Sequence, residues 1–244
     1  MKKNKDDSTK KTIDKYIIDK MISMINEMSP EQYKIFLAHA LVSGLKINLF
    51  DYPADIWPPL TPARYYINEF LMLYRKHVKG ICVEFSPPVY RDYLMKNKSI
   101  EQYEVWNITP HEGVTVVADL QDAKSVEDNR FDSIICTHVL SAIPHPEKAI
   151  SEIRRVLKPG GLILCTVPCI LQKYAPDPVD CWRFTIDSLK DLFRDFKKTK
   201  YHSYGNAATV AGSPYYLMTS HFPDSIMSYN DPTCPSILAV AAWK

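Results

Sequence analysis

One imidazole stands where an apolar run gives way to a loop. The run is Phe131-Asp132-Ser133-Ile134-Ile135-Cys136-Thr137, and His138 follows it. If the run is a buried parallel strand, its carboxyl end opens on a ligand crevice, and an imidazole there can take a proton from a hydroxyl or an amine. A packing or hydrogen-bonding role for His138 fits the same residues, and both readings stand. A second run, Ile81-Cys82-Val83-Glu84-Phe85, carries an acid near its end and leads into Ser86-Pro87-Pro88-Val89-Tyr90, which has no glycine. Ser86 is placed to cap a helix with Pro87 in its first position, over about 87–96. The six cysteines contain no CxxC pair, so the sequence predicts free thiols and no metal site.

These residues need a scaffold, and the rhythm of the chain supplies one. After Gly80, short β-branched runs alternate with helical patterns, as in a parallel sheet with crossover helices. Strands are predicted at 81–85, 103–108, 114–118, 132–137, 162–167, 199–204 and 237–243, and helices at 146–157 and 187–196. Between the fourth and fifth strands, Leu157-Lys158-Pro159-Gly160-Gly161 ends a helix and reverses the chain. The expected fold is therefore α/β, a doubly wound, Rossmann-like, mostly parallel seven-stranded sheet.

Ahead of it, residues 1–60 read as a helical extension, with residues 61–244 as the main domain. Ser29-Pro30-Glu31-Gln32 has the form of a capped helix start, and Thr61-Pro62 opens a helix with Tyr66, Phe70 and Tyr74 on one stripe. The aromatic and apolar residues before Gly80, among them Phe36, Trp57, Tyr65 and Phe70, must be buried somewhere. The expectation is that they form a lid over the crevice; packing on the far face of the sheet or a dimer interface is the alternative.

A net charge of +2 gives no pull toward nucleic acid or an anionic membrane. No run is apolar for long enough to span a bilayer and no leader pattern is visible, so a cytoplasmic protein is expected, with a small-molecule partner and an open oligomeric state.

The segment Phe131 to Pro168 resembles the second half of class I methyltransferases that depend on S-adenosylmethionine. In that family a strand ends near the cofactor and a helix leads to a Leu-Lys/Arg-Pro-Gly-Gly turn. A glycine-poor branch, often found among sugar and polysaccharide genes, is matched more widely. The matching residues are Arg64-Tyr65-Tyr66-Ile67, Glu84 to Tyr90, Asp180-Cys181-Trp182-Arg183-Phe184-Thr185, Tyr204-Gly205-Asn206 and Tyr229 to Pro235. Ser86 stands in place of that branch's glycine and Cys181 in place of its tyrosine.

The resemblance implies S-adenosylmethionine as cofactor, with Arg64, Tyr65, Glu84, Ser86, Tyr90, Glu104, Asp119, Leu120 and Thr137 around it. Glu104 matches the acid that binds the ribose, Asp119-Leu120 the pair that meets the adenine, and Arg64 is placed for the methionine carboxylate. His138 is the catalytic candidate. The implied reaction is methyl transfer to an oxygen or nitrogen of a small metabolite or sugar. A non-methylating cyclisation on the same fold and a non-catalytic binding protein remain alternatives. Ser86-Pro87-Pro88-Val89 is also similar to the Pro-Pro loop of nucleobase amino-methyltransferases, but follows the first strand and ends in Val.

Overall fold

The computed structural model of the chain describes residues 61–171, 179–215 and 217–244, with positions 20, 23–25, 27–29, 32, 33, 35 and 36 of the extension. Helix α1 (Pro62–Tyr74) starts where the sequence places it. The Thr61 side chain accepts the Arg64 N–H, Pro62 sits in the first turn, and Tyr66, Ile67, Phe70, Leu71 and Tyr74 are buried. Strand β1 (Gly80–Phe85) follows. Gly80 has φ +59°, and a Cβ there would lie 2.4 Å from the Asp132 carboxylate, which accepts the Ile81 N–H and an ion pair from Lys158. Only glycine fits that entry.

Helix α2 (Arg91–Leu94) is a single turn, far shorter than the predicted helix, because three of the five residues before it, Ser86-Pro87-Pro88, form a loop. Next come β2 (Ile100–Asn107), β3 (Val116–Val117) and β4 (Phe131–Thr137). Helix α3 (Pro146–Val156) buries Ala149, Ile150, Ile153 and Val156 on one face. Glu147 lies in its first turn and Arg154 and Arg155 in its last, each complementing the helix dipole.

Strand β5 (Leu157–Pro168) begins at once. Its pairing steps from Phe131↔Leu157 to Ser133↔Leu162, so Lys158 to Gly161 form a bulge, with Gly160 at φ +76°. The sequence reads this stretch as a turn; the ladder begins before it and absorbs it. Helix α4 (Ile186–Leu192), β6 (Lys198–Tyr204), α5 (Ala207–Gly212), α6 (Asp224–Met227) and β7 (Ile237–Trp243) complete the described chain.

The seven strands form one sheet in the order β3-β2-β1-β4-β5-β7-β6, parallel except for β7, which runs antiparallel to both neighbours. One face carries a core of Val83, Phe131, Ile134, Ile163 and Val240 under α3 and α4. The other carries Cys82, Ile135, Leu164, Ala239 and Ala241 under α1. Ile25 and Tyr33 of the extension are buried in this second core, with the Tyr33 ring 5.8 Å from Phe222. Ser29 and Gln32 exchange the reciprocal bonds of a capping box. The described part of the extension thus packs on the far face, where bare apolar sheet needs cover, and contributes nothing to the crevice lining. The connector with Trp57 lies outside the described residues. Among the described residues no helix is long and apolar enough to cross a membrane.

Candidate functional site

The order of the sheet reverses between β1 and β4, and a cleft of about 510 Å³ opens there at the carboxyl ends of the strands. Diverging loops leave open space at such a switch point. Phe85 and Trp106 form the floor, stacked with ring centroids 5.4 Å apart, and the Trp106 Nε1–H donates to the Ala118 carbonyl at 2.9 Å. Asn107, the last residue of β2, and Ile108 line one wall. Asp119 and Leu120 line the next. Asp119 Oδ1 accepts the Gln121 N–H at 2.8 Å, and Gln121 Oε1 accepts the His145 N–H at 3.1 Å, which ties this wall to the start of α3. The chain beyond Asp119 is pinned by Arg155, which donates to Glu152, Asp128 and the carbonyls of Ala123 and Val126.

Opposite, Thr137 and His138 leave β4. His138 adopts φ +57°, a left-handed backbone that a non-glycine residue holds only when its surroundings fix it. Here the His138 N–H donates to the Thr166 carbonyl at 2.8 Å and the His138 carbonyl accepts the Ser141 hydroxyl at 3.0 Å. The turn redirects the imidazole to the cleft border. Its Nε2 is sealed from solvent and has no hydrogen-bond partner among the described residues. Burial, then the charges of Arg183 and Arg64, push its pKa down to about 4. A ring so placed is neutral at pH 7.

The far wall is built by Val139, Ala142, Ile143, Pro144, Val179 and Asp180. The Asp180 carboxylate is held by Arg183 through paired bonds of 2.5 and 2.8 Å, and Arg183 Nε donates to the Leu171 carbonyl. The Cys181 and Trp182 N–H groups donate to the Ser141 carbonyl, and the Trp182 indole donates to Ile143. These bonds dock the Asp180-to-Phe184 segment against the loop after β4.

Of the residues expected around a ligand, Ser86, Asp119, Leu120, Thr137 and His138 line the cleft; Arg64, Tyr65, Glu84, Tyr90 and Glu104 do not. Glu104 is the clearest departure. It lies three residues before the end of β2, where its buried carboxylate pairs with Arg130 at 2.6 Å and accepts from Gln102 at 2.8 Å. The strand runs on to Asn107, whose side chain lines the cleft. Ser86 does not cap a helix; its hydroxyl meets His111.

Glu84 is buried behind the loop, bonded to the Tyr103 hydroxyl and to the Tyr90 N–H at 3.1 Å. Burial raises its pKa to about 7 against the opposing pull of those bonds. It therefore shapes the loop from beneath. Tyr90 is buried in the far-face core, and the Tyr65 ring packs edge-on against Tyr66. Arg64 touches the site through its charge on His138. Asn107, His111 and Gln121 escaped the sequence reading. Among the described residues no group of three or more metal-ligating side chains gathers, and the described cysteines are free thiols.

Comparison with known proteins fits this geometry. Residues 71–165 match the family model described as a methyltransferase domain. The chain is 33% identical over 69 residues to the human thiol S-methyltransferase TMT1B, covering 28% of this chain and 26% of that protein. It is 45% identical over 62 residues to the probable methyltransferase ltbC of Aspergillus luteorubrus, covering 24% of this chain and 21% of that one. The matched stretch thus spans about a quarter of the length of these relatives. A crystal structure of a SAM-dependent methyltransferase from Archaeoglobus fulgidus superimposes with a TM-score of 0.51 at 14% identity, covering 74% of this chain and 92% of that one. At that identity the likeness concerns the fold.

Proposed function

We propose that this chain, whose residues 71–165 match a methyltransferase-domain family model within an α/β fold, transfers the methyl group of S-adenosylmethionine to a heteroatom of a small acceptor. The observation that carries this is the convergence of Asn107, Asp119, Thr137 and His138 on one cleft at the switch point of the sheet. Their chemistry suits the cofactor. The Asn107 amide offers both a donor and an acceptor to a vicinal diol, and Asp119 keeps lone pairs for an exocyclic amine. Phe85 and Trp106 give a planar ring an apolar floor. When bound, S-adenosylmethionine supplies an electrophilic methyl group on a sulfonium.

The remaining work belongs to the chain. The wall of Val139, Ile143, Pro144 and Val179 gives the acceptor an apolar face that holds it in line, which can supply most of the acceleration. His138, neutral and unpaired at Nε2 among the described residues, must turn that nitrogen into the cleft to orient the nucleophilic atom. As a weak base it suits an acceptor that loses its proton readily, such as a thiol or a phenol, or one that attacks through a free lone pair, such as an amine.

This lining favours an acceptor with an apolar body over a sugar. Among the described residues, Asp180 is already bound by Arg183 and the Ser141 carbonyl by Cys181 and Trp182. A polyhydroxylated ring would leave most of its hydroxyls unpaired there. The test is incubation with S-adenosylmethionine and four acceptors (an aryl thiol, a phenol, an arylamine and a hexose), with products read by mass spectrometry. Acceptor-dependent S-adenosylhomocysteine with a methylated thiol, phenol or amine is expected. Methylthioadenosine, or no turnover, overturns methyl transfer; methylation of the hexose alone overturns the acceptor class.

A further inference from the structure

His111 lies in the loop between β2 and β3, beside the cleft, and its hydrogen-bond partners fix its chemical form. Nδ1 lies 3.1 Å from the Glu112 carbonyl, which can only accept, so Nδ1 carries the proton. Nε2 lies 2.8 Å from Asn107 Nδ2, which can only donate, and 3.1 Å from the Ser86 hydroxyl. Nε2 is therefore the shared acceptor, and the neutral Nδ1–H imidazole satisfies all three contacts. The Asn107 amide is oriented from its other side by the Thr109 N–H on Oδ1 at 3.3 Å. One ring thus joins the first residue after β1 to the last residue of β2. It does so where Ser86-Pro87-Pro88 makes a stiff loop in place of a glycine turn.

We infer that His111 is a positioning residue for ligand binding: it holds the Asn107 amide so that its second N–H and its remaining lone pair serve the cleft. The inference rests on the reading of the cleft as the S-adenosylmethionine site. An exposed Asn side chain samples several rotamers, and an amide that must meet two hydroxyls at once gains affinity when one is selected beforehand. His111 itself does not line the cleft, so its effect must pass through Asn107 and Ser86.

Calorimetric titration of the full chain with S-adenosylhomocysteine tests this without turnover. The proteins are wild type, His111→Ala, His111→Gln, Asn107→Ala and the double variant Asn107→Ala/His111→Ala. His111 is exposed, so the variants should fold, and thermal midpoints check that they do. Loss of His111 should weaken binding about tenfold. His111→Gln, whose side-chain carbonyl reaches the position of Nε2, should stay within about threefold of wild type. In the Asn107→Ala background the His111→Ala change should add less than about twofold, since the residue it positions is gone. Wild-type affinity in His111→Ala, no recovery in His111→Gln, or an undiminished effect in the Asn107→Ala background would each overturn the inference while leaving the cleft reading intact. A wild-type chain that takes up no S-adenosylhomocysteine overturns both.

Discussion

Glu84→Gln should remove a specific pH dependence of stability. The carboxyl group is 1% exposed, and burial raises its folded value to about 7 from an ordinary 4.5. Between those values the native state holds a proton that the unfolded chain has released. Its stabilising contribution is complete below about 4.5 and is lost as the pH rises through about 7. The full difference corresponds to about 3 kcal/mol, an upper bound once local relaxation is allowed. Glutamine keeps the shape: its carbonyl can accept the Tyr90 N–H, and its amide can donate to the Tyr103 oxygen. The assay is urea unfolding of wild type and variant at steps from pH 4.5 to 8. Similar stabilities are expected at pH 4.5, with the variant ahead by about 1–3 kcal/mol at pH 8. Parallel curves across the whole range would refute the burial argument, since the other titrating groups are common to both proteins.

Other changes separate the cleft from its supports. Glu104→Ala strands Arg130 and Gln102 and should cost about 1–3 kcal/mol in chemical denaturation while leaving S-adenosylhomocysteine affinity unchanged; weakened binding would return Glu104 to the ligand. His138→Asn, which tolerates the left-handed backbone, should lower turnover about a hundredfold with cofactor affinity intact, and an unchanged rate would leave the ring a purely structural role. Tyr33→Ala opens a void against Phe222 and should cost about 3 kcal/mol of stability without altering ligand binding; loss of binding would instead make the extension part of the site.

The scaffold was legible because its signals are long and repeat at two levels. The apolar runs of β1, β4 and β7 and the helix leading to Lys158-Pro159-Gly160-Gly161 each combine period, caps and turn chemistry. The site was less legible because it depends on which residues of a strand reach the cleft. Glu104 and Asn107 lie three residues apart on one strand, yet Asn107 lines the cleft while Glu104 pairs with Arg130. Likewise Ser86-Pro87-Pro88 has the composition of a helix start, but the helix waits for Arg91 because Glu84 takes the Tyr90 N–H from below. No local pattern marks His111, whose partners are the first residue after β1 and the last residue of β2. The docking of Tyr33 on the far face is equally non-local: an amphipathic helix records that it must be covered, not by what.

The central claim is that the cleft at the switch point binds S-adenosylmethionine, and a calorimetric titration of the full chain with S-adenosylhomocysteine tests it most directly. The account predicts a single site with a dissociation constant of about a millimolar or tighter, weakened about tenfold by Asn107→Ala. Absence of both heat and thermal stabilisation at ligand concentrations well above about a millimolar would contradict it.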